Sequence, residues 1–181
     1  MTRIIGLSGS LRAASYNAAL LRAAHSLFPD DISIRSIRGI PLYDGDVEQN
    51  QGIPDAVSRL KDEIAAAAGL LLVTPEYNNS VPGVFKNAID WLSRPPDDIP
   101  RVFHGKPVAV MGVTPGGFGT NLAQSAWLPV LRTLQMRPWF EGRLMLSGAA
   151  RLFDAGGALT DDDVKARLQS FIGGFIAFAE T

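Results

Sequence analysis

Two short apolar runs limit the folds open to this chain more than any other feature of its sequence. Residues 70–74 and 107–113 are almost continuously apolar. Runs of this length, bounded by loop residues, are typical of parallel strands that are buried on both faces of a sheet. A helical pattern over residues 83–93 lies between them, so the three segments form a strand–helix–strand unit. The sequence therefore predicts an α/β fold with a parallel sheet.

The same alternation of strand and helix recurs along the whole chain. Further strands are predicted over 3–8, 32–37 and 137–140, the last resuming near 144–147, and further helices over 15–28, 54–68, 121–135 and beyond 160. Residues 38–52 are predicted to be an unusually long loop that either covers a site or is simply solvated. The alternation predicts a single domain over 1–181, a doubly wound sheet with helices on both faces.

Three local signals set the predicted ends of the helices. Gly69 is expected to end the second helix, and Thr160 with Asp163 to form a capping box at the start of the last one. Pro129 falls inside the fourth helix, where it removes a hydrogen bond. That helix is therefore expected either to kink at Pro129 or to start elsewhere.

Composition excludes several classes of function. The net charge of the 181 residues is −1, and no block of like charges occurs, which argues against nucleic acid or an anionic membrane as a partner. The chain has no cysteine, so disulfides, thiol catalysis and thiolate metal sites are excluded. The longest apolar run is too short to span a bilayer, and no signal-peptide pattern is present. A cytoplasmic protein is expected.

The loop after the first strand, residues 8–17, has the composition of a phosphate site. Its donors are the hydroxyls of Ser8, Ser10 and Ser15, the amide of Asn17 and the guanidinium of Arg12. The helix that follows offers free N–H groups and the positive end of its dipole. Neither Gly-Lys-Ser/Thr nor Gly-x-Gly-x-x-Gly occurs there, so a terminal monophosphate fits better than a triphosphate or a dinucleotide. An N-capped helix without a ligand fits the same residues.

The loops after the third and fourth strands, residues 74–83 and 114–120, should meet the first one at the same edge of the sheet. Ligands bind there in open parallel sheets, where the strand order reverses. Tyr77 or Phe118 can cover part of a flat polar ring, and Gly116 allows a close approach of the backbone. Ordinary turns use the same residue types, so either loop alone also fits a turn without a ligand.

No set of catalytic side chains is recognisable. His25 falls in the first helix and His104 in a polar loop over 97–106, so both are expected at the surface rather than in a metal or catalytic site. Glu76 is a candidate base, although a loop carboxylate is more commonly solvated or caps a helix. A ligand site without catalytic side chains indicates that a cofactor carries the chemistry.

Three motifs resemble those of the NADPH-dependent FMN reductases, a family of flavodoxin-like fold that includes quinone, chromate and azo-dye reductases. They are Gly9-Ser10-Leu11-Arg12-x-x-Ser15-x-Asn17, Pro75-Glu76-Tyr77-Asn78 and Pro82-Gly83-x-x-Lys86-Asn87-x-x-Asp90-Trp91. The similarity extends over nearly the whole chain and includes Leu42-Tyr43. The third loop, Thr114-Pro115-Gly116-Gly117, differs from many relatives, which are richer in serine there.

The resemblance implies a five-stranded sheet of order 2-1-3-4-5 with FMN lying across the three loops. It implies that Ser10, Arg12, Ser15 and Asn17 hold the phosphate, and that the second and third loops line the isoalloxazine from opposite sides. The complete predicted cofactor-binding set is Ser8, Ser10, Leu11, Arg12, Ser15, Asn17, Pro75, Glu76, Tyr77, Asn78, Pro115, Gly116 and Gly117. Relatives form dimers or tetramers with the flavin near the subunit interface. The surface of the fourth helix, with Trp127 and Arg132, is the candidate contact.

The predicted function is therefore that of an FMN-dependent NAD(P)H oxidoreductase without a metal. NADPH or NADH would give a hydride to flavin N5 and leave, and a quinone, azo compound, metal oxyanion or free flavin would then take it, in a ping-pong order. A flavodoxin-type electron carrier is an alternative, although such carriers are typically strongly acidic. A Rossmann dehydrogenase is a second alternative, disfavoured by the missing glycine fingerprint and by the lack of an acidic residue at the end of the second strand.

Overall fold

The structure is a computed structural model that describes residues 4–181, so the predicted first residue of the first strand, Arg3, lies outside the described residues. The helices are α1 (Tyr16–Leu27), α2 (Gly45–Gln51), α3 (Asp55–Ala66), α4 (Gly83–Leu92), α5 (Ile99–Val102), α6 (Asn121–Thr133) and α7 (Asp162–Ala179). The strands are β1 (Ile4–Ser8), β2 (Ile32–Arg35), β3 (Gly69–Val73), β4 (Pro107–Val113), β5 (Arg137–Pro138) and β6 (Leu144–Leu146). Short 3₁₀ turns lie at Pro96–Asp98 and Ala149–Arg151.

The strands form one parallel sheet in the order β2-β1-β3-β4-β5, and β6 also pairs with β4. The predicted order is confirmed. Two short strands share its last position: β5 pairs with β4 at Pro107 and Val108, and β6 pairs with it from Met111 onward. The predicted interruption of the fifth strand is confirmed as well.

Buried apolar side chains cover both faces of the sheet. On one face, α1 and α7 pack against the sheet through a cluster that includes Leu20, Leu71 and Phe175. On the other face, α3, α4 and α6 pack through a cluster that includes Leu72 and Trp127. Full burial of one such side chain contributes about 1.5–3 kcal/mol. Since helices cover the two faces, the carboxyl ends of β1, β3 and β4 are left accessible at one edge.

The segment predicted as a long loop, residues 38–52, contains α2. The side chain of Asp44 accepts the N–H of Asp46 at 2.9 Å and so begins this helix. None of the residues of α2 is buried, so the segment lacks the periodic apolar face by which a helix is recognised. The predicted polar loop over 97–106 likewise contains the short helix α5.

Two predicted helix ends are wrong. Gly69 does not end α3 but begins β3, where a Cβ would lie 2.9 Å from Cδ1 of Ile4. Its small size therefore serves close packing in the sheet. At the start of α7, the side chain of Asp161 accepts the N–H of Val164 at 2.9 Å, so Asp161 is the N-cap rather than Thr160.

Helix α6 begins at Asn121, as predicted, and contains Pro129. Proline has no N–H, so the carbonyl of Ser125 loses its helical partner. Both residues are exposed, and water can bond to that carbonyl. Trp127 on the same helix is 0% exposed, and its indole N–H donates to Oγ1 of Thr74 at 3.2 Å. The expectation that Trp127 forms a surface contact is therefore wrong.

Candidate functional site

Three loops meet at the carboxyl edge of the sheet, because β1, β3 and β4 are neighbours. We name them the first loop (8–17), the second loop (74–83) and the third loop (114–120), and the space between them the three-loop cleft. Its wall consists of Ser10, Arg12, Ser15, Tyr16, Asn17, Pro75, Glu76, Tyr77, Val113, Thr114 and Pro115. Eight of the thirteen predicted cofactor-binding residues thus lie in one wall. The other five, which lie in the same loops outside that wall, are Ser8, Leu11, Asn78, Gly116 and Gly117.

The first loop directs the start of α1 at the cleft. Oγ of Ser15 accepts the N–H of Ala18 at 3.2 Å, which makes Ser15 the N-cap. The two N–H groups before it, those of Tyr16 and Asn17, have no acceptor within residues 4–181. They form the positive end of the helix dipole. Arg12 is exposed beside them and adds a fixed positive charge.

Both polar atoms of the Asn17 side-chain amide form hydrogen bonds to the protein backbone. Its Nδ2 donates to the carbonyl of Val113 at 2.8 Å, and its Oδ1 accepts the N–H of Val113 at 3.0 Å. The side chain is buried. It therefore holds the start of α1 against the end of β4, and the group that Asn17 can offer to an anion is its backbone N–H.

Close packing fixes the beginning of the first loop. A Cβ on Gly9 would lie 2.2 Å from Cδ1 of Phe85, so only glycine fits there. Oγ of the preceding Ser8 is buried and has no hydrogen-bond partner within the described residues. A buried hydroxyl without a partner is uncommon in proteins. Leu11 packs against the core, and its carbonyl accepts a hydrogen bond from the guanidinium of Arg38.

Glu76, the candidate base, caps a distant helix. Its Oε2 accepts the N–H groups of Leu122 and Ala123 at 2.8 and 3.0 Å, at the start of α6. The residue before that helix, Thr120, has a left-handed backbone with φ of 67° and forms no side-chain cap. The carboxylate of Glu76 thus supplies the missing acceptor and joins the second loop to the third.

A tight turn shapes the exposed part of the second loop. Tyr77 and Ser80 exchange two backbone hydrogen bonds, of 3.1 and 3.0 Å. The two residues between them, Asn78 and Asn79, have φ of 50° and 60°. Positive φ at both central positions is the pattern of a type I′ turn, and asparagine tolerates it better than most residues. This turn leaves Tyr77 44% exposed at the cleft, whereas Pro75 is buried.

The third loop is attached to the end of β6 and to the residues that follow it. The N–H of Thr114 donates to the carbonyl of Leu146 at 2.9 Å, and the carbonyl of Thr114 accepts the N–H of Ala149 at 3.1 Å. Residues 115–118 are exposed, and Phe118 is 76% exposed. A Cβ on Gly112, at the end of β4, would lie 2.2 Å from the carbonyl oxygen of Thr74. The second and third loops therefore leave the sheet in close contact.

Residues 41–48, which we name the strap, belong to the predicted long loop, and sequence reasoning missed the contacts that hold them. The carbonyl of Pro41 accepts hydrogen bonds from Asn87 and Trp91 at 2.8 and 2.9 Å, and Oδ1 of Asn87 accepts the N–H of Tyr43 at 2.8 Å. These two α4 side chains thus hold the strap rather than line the three-loop cleft. Their spacing of four residues, which puts them on one face of a helix, was the available signal.

The carboxylate of Glu48 holds the other end of the strap. Oε2 of Glu48 accepts hydrogen bonds from the Tyr43 hydroxyl and from Nε of Arg94 at 2.9 and 2.8 Å. The bond from Arg94 lowers the pKa of Glu48 below its ordinary value. The hydrogen bond to Glu48 raises the pKa of Tyr43 and that of Arg94. All three groups therefore keep their usual charge at neutral pH.

Neither histidine lies in the wall of the three-loop cleft. Nδ1 of His25 lies 2.8 Å from the carbonyl oxygen of Ile32, and His104 is exposed. Within residues 4–181, no three histidine, aspartate or glutamate side chains are grouped so as to hold a metal ion. None of the helices in this part of the chain is both long and apolar enough to cross a membrane.

The residue types in the wall of the three-loop cleft suit a ligand that has a phosphate and a flat ring, as FMN does. The start of α1 and Arg12 present positive charge to a phosphate, and the hydroxyls of Ser10 and Ser15 lie in the same wall. Glu76 is the acidic residue of that wall, and two N–H groups of α6 already bind its carboxylate. The exposed ring of Tyr77 is available to cover a flat ring system.

The sequence matches the model of the family of NADPH-dependent FMN reductases over residues 2–151. It is 46% identical to an NAD(P)H-dependent FMN reductase of Pseudomonas aeruginosa over an alignment of 169 residues, and this alignment covers 92% of this chain and 89% of that protein. It is 38% identical to a 2-hydroxy-1,4-benzoquinone reductase of a Burkholderia species over 178 residues, and this alignment covers 97% of this chain and 95% of that protein.

A solved structure is similar over almost its whole length. The flavoenzyme FerB of Paracoccus denitrificans, an NAD(P)H:(acceptor) oxidoreductase, superposes on this chain with a TM-score of 0.88. The two sequences are 32% identical, and the superposition covers 99% of this chain and 98% of that one. The superposition therefore extends over nearly the full length of both chains.

Proposed function

Because the chain belongs to the family of NADPH-dependent FMN reductases, we propose that it is a flavoenzyme in which the three-loop cleft holds FMN. The enzyme takes a hydride from NAD(P)H and delivers it to a quinone, an azo compound, a metal oxyanion or a free flavin. Reductant and acceptor use the same open face of the cleft one after the other, in a ping-pong order. The whole chain acts as one flavin-binding domain.

FMN, when bound, supplies the two-electron chemistry, and the chain supplies binding and orientation. The N–H groups at the start of α1 and the guanidinium of Arg12 hold the phosphate, with the hydroxyls of Ser10 and Ser15 beside it. The backbone of the second loop would line the ring, and Tyr77 would limit access to it. Glu76 does not act as a base, because its carboxylate is bonded to α6. It keeps the second and third loops at a constant separation.

The observation that carries this proposal is the convergence of the three loops on one cleft with a phosphate-type end. The first loop by itself also fits an N-capped helix, and the other two fit ordinary turns. Their meeting in one wall, at the edge where open parallel sheets bind ligands, supports a ligand that has both a phosphate and a flat ring. FMN has both.

The first experiment is the visible spectrum of the purified protein, followed by anaerobic addition of NADPH and of NADH. We expect a yellow protein that bleaches, and parallel lines in two-substrate kinetics with a quinone. A yellow protein that neither nucleotide bleaches would support the electron carrier instead. Intersecting kinetic lines would contradict the ping-pong order, and a colourless protein that does not bind added FMN would contradict the site itself.

Arg12→Ala tests the phosphate end of the cleft. Loss of one charge-assisted hydrogen bond costs about 1.5–3 kcal/mol, so the dissociation constant of FMN should rise about 10- to 100-fold. Arg167→Ala, on the exposed face of α7, is the matched control and should leave that constant unchanged. Flavin fluorescence measures both. Equal affinity of the two variants for FMN would place the phosphate away from Arg12.

We also propose a homodimer or homotetramer with the FMN site near the interface between subunits. Large apolar side chains stand exposed in the loops of the cleft and on the helix that follows them: Tyr77 and Phe118 in the loops, and Leu122 and Leu128 on α6. Exposed apolar patches of this kind support contact with another chain. Light scattering during size-exclusion chromatography should give two or four times the mass of the chain. A monomer at micromolar concentration would contradict the proposal.

A further inference from the structure

Thr74 is a fully buried polar residue at the start of the second loop. It is 0% exposed and follows the last residue of β3. Its N–H donates to the carbonyl of Met111 in β4 at 2.8 Å, and a Cβ on Gly112 would lie only 2.2 Å from its carbonyl oxygen. The neighbouring strand therefore holds Thr74 in place. Thr74 does not belong to the wall of the three-loop cleft, so it can act on a ligand there only through its neighbours.

The chemistry of its two partners sets the direction of the Thr74 hydroxyl. The indole N–H of Trp127 can only donate, and it lies 3.2 Å from Oγ1 of Thr74. The carbonyl oxygen of Pro75 can only accept, and it lies 2.8 Å from the same Oγ1. Because the hydroxyl has a single proton, it accepts from Trp127 and donates to Pro75. Two hydrogen bonds thus connect α6, through Thr74, to the backbone of the second loop.

These bonds determine which way the peptide group between Pro75 and Glu76 faces. Its carbonyl points at the hydroxyl of a residue that is 0% exposed, and therefore away from the cleft. The peptide bond is trans, and in a trans peptide the N–H and the C=O point in opposite directions. The N–H of Glu76 is therefore directed towards the cleft, whose wall includes both residues.

The N–H of Glu76 has no acceptor within residues 4–181. The carboxylate of the same residue does not take it, because its Oε2 accepts the N–H groups of Leu122 and Ala123. Backbone N–H groups of folded proteins are nearly always paired with protein, water or ligand. An N–H that is fixed in direction and unpaired at a ligand site is therefore a donor available to the ligand.

We propose that Thr74 is a positioning residue for the flavin: its bond to Pro75 keeps the N–H of Glu76 directed at the bound ring, and Trp127 keeps the hydroxyl in the orientation that makes this bond. This inference rests on the proposed function, since it concerns the ring that the cleft would hold. Reduction by hydride adds negative charge to the ring, so a fixed donor binds the reduced form more tightly than the oxidised form. The orientation of this one peptide group therefore raises the midpoint potential of the flavin.

The first test measures the midpoint potential of the FMN-loaded protein against a reference dye. Thr74→Val keeps the shape of the side chain but removes the hydroxyl, so the carbonyl of Pro75 loses its partner and the peptide group is free to rotate. The affinity for reduced FMN should fall about tenfold more than the affinity for oxidised FMN, since hydrogen bonds to a charged acceptor are the stronger ones. This difference corresponds to a fall of about 30 mV in a two-electron potential. An unchanged potential would overturn the proposal.

Three further variants separate positioning from stability. Thr74→Ser keeps the hydroxyl and should keep the native potential. Trp127→Phe removes the donor that orients the hydroxyl but leaves its bond to Pro75, so the potential should fall less than in Thr74→Val. His25→Leu is the control, because it removes the side-chain contact to the carbonyl of Ile32 at the amino ends of the strands. It should lower stability and leave the potential unchanged. An equal fall in Thr74→Ser or in His25→Leu would overturn the proposal.

The second test observes the N–H of Glu76 directly, by NMR of the isotopically labelled, FMN-loaded protein. Its hydrogen exchange should be slower after reduction with dithionite than before, because its bond to the ring becomes stronger. The N–H of Ser80, which donates to the carbonyl of Tyr77 at 3.0 Å, is the internal control and should not change. Equal exchange rates of the Glu76 N–H in the two redox states would overturn the proposal.

Neither test uses a nicotinamide nucleotide, so the proposal can fail separately from the function on which it rests. A protein that NADPH bleaches, but whose potential is the same in Thr74→Val, would retain the oxidoreductase and overturn the positioning role. A protein that binds FMN and shows the expected fall in Thr74→Val, but that neither nucleotide bleaches, would refute the reductase and leave the positioning role established.

Discussion

The first and second loops meet in one cleft, but the helix starts that they stabilise lie at very different distances along the chain. Ser15 in the first loop caps its own helix by accepting the N–H of Ala18, three residues later. Glu76 in the second loop caps α6, whose N–H groups at Leu122 and Ala123 follow 46 and 47 residues later. Both helix starts need an acceptor for their unpaired N–H groups. A neighbouring residue supplies it for α1, and a residue far away in the sequence supplies it for α6.

This difference shows which parts of the cleft can move independently. A local cap moves with its helix, so the bond from Ala18 to Ser15 does not by itself tie the first loop to the sheet. A remote cap joins two loops, so a displacement of the second loop must also displace the start of α6. Asn17 belongs to both categories: it lies in the locally capped helix, yet its amide bonds to Val113 at a separation of 96 residues.

The largest effect is expected from Asn17→Leu, which removes a remote bond from the first loop. The N–H and the carbonyl of Val113 would both lose their partner while buried, at about 1–3 kcal/mol each. The free energy of unfolding in urea should fall by about 3 kcal/mol. Ser15→Ala is the matched variant for the local cap and should lower it by about 1 kcal/mol. Equal losses in the two variants would remove the distinction between local and remote bonds.

Glu76→Ala should have the next largest effect, because it removes the remote cap of α6. The loss of a cap with a favourable charge costs about 1–2 kcal/mol of unfolding free energy. The affinity for FMN should fall as well, since the separation of the second and third loops is then no longer fixed. Glu76→Gln keeps one acceptor and should lie between the native protein and the alanine variant.

Glu141→Ala is the control for Glu76→Ala, since Glu141 is an exposed acidic residue away from the wall of the cleft. It should change neither stability nor FMN affinity. If Glu76→Ala lowered stability but left FMN affinity unchanged, the cap would serve α6 alone. The inferred coupling between the two loops would then be wrong.

A smaller effect is expected from acid, which acts on the strap. The pKa of Glu48 is lower in the folded chain than its ordinary value of 4.5, because Arg94 donates to the carboxylate. Its contribution to stability is therefore present above about pH 4.5 and is lost as the pH falls through the folded value. Melting temperatures of the native protein and of Glu48→Gln should differ at pH 7 and converge as the pH falls below 4.5 and through the lower folded pKa. A constant difference over this range would contradict the role of the charge.

The smallest effect is expected from Asn79→Gly in the turn of the second loop. Asn79 has φ of 60°, a conformation that glycine adopts without the steric cost that other residues bear. The substitution should therefore raise the free energy of unfolding by about 0.5 kcal/mol. Ser80→Gly, two residues after Asn78, is the control and should lower it. A loss of stability in Asn79→Gly would mean that the asparagine side chain itself holds the turn.

The strands and the helices with an apolar face could be predicted because each depends on neighbouring residues. The run over β4 was predicted with both its ends, and the start of α6 was correct in spite of Pro129. Helix α2 was missed because it has no buried face, and the cap of α7 was placed one residue early because Thr160 and Asp161 are both acceptable N-caps. The order of the strands was predicted only through the resemblance to a family.

The sequence by itself determined the main strands, the helices with an apolar face, and the composition of the three loops, because hydrophobic periodicity and capping act over a few residues. Only the tertiary structure decided what the polar side chains of those loops bond to. Asn17 and Glu76 stand in motifs typical of flavin sites, and their side chains bind Val113 and α6. Hydrogen bonds between residues far apart in the chain depend on which strands become neighbours, and no local pattern encodes that.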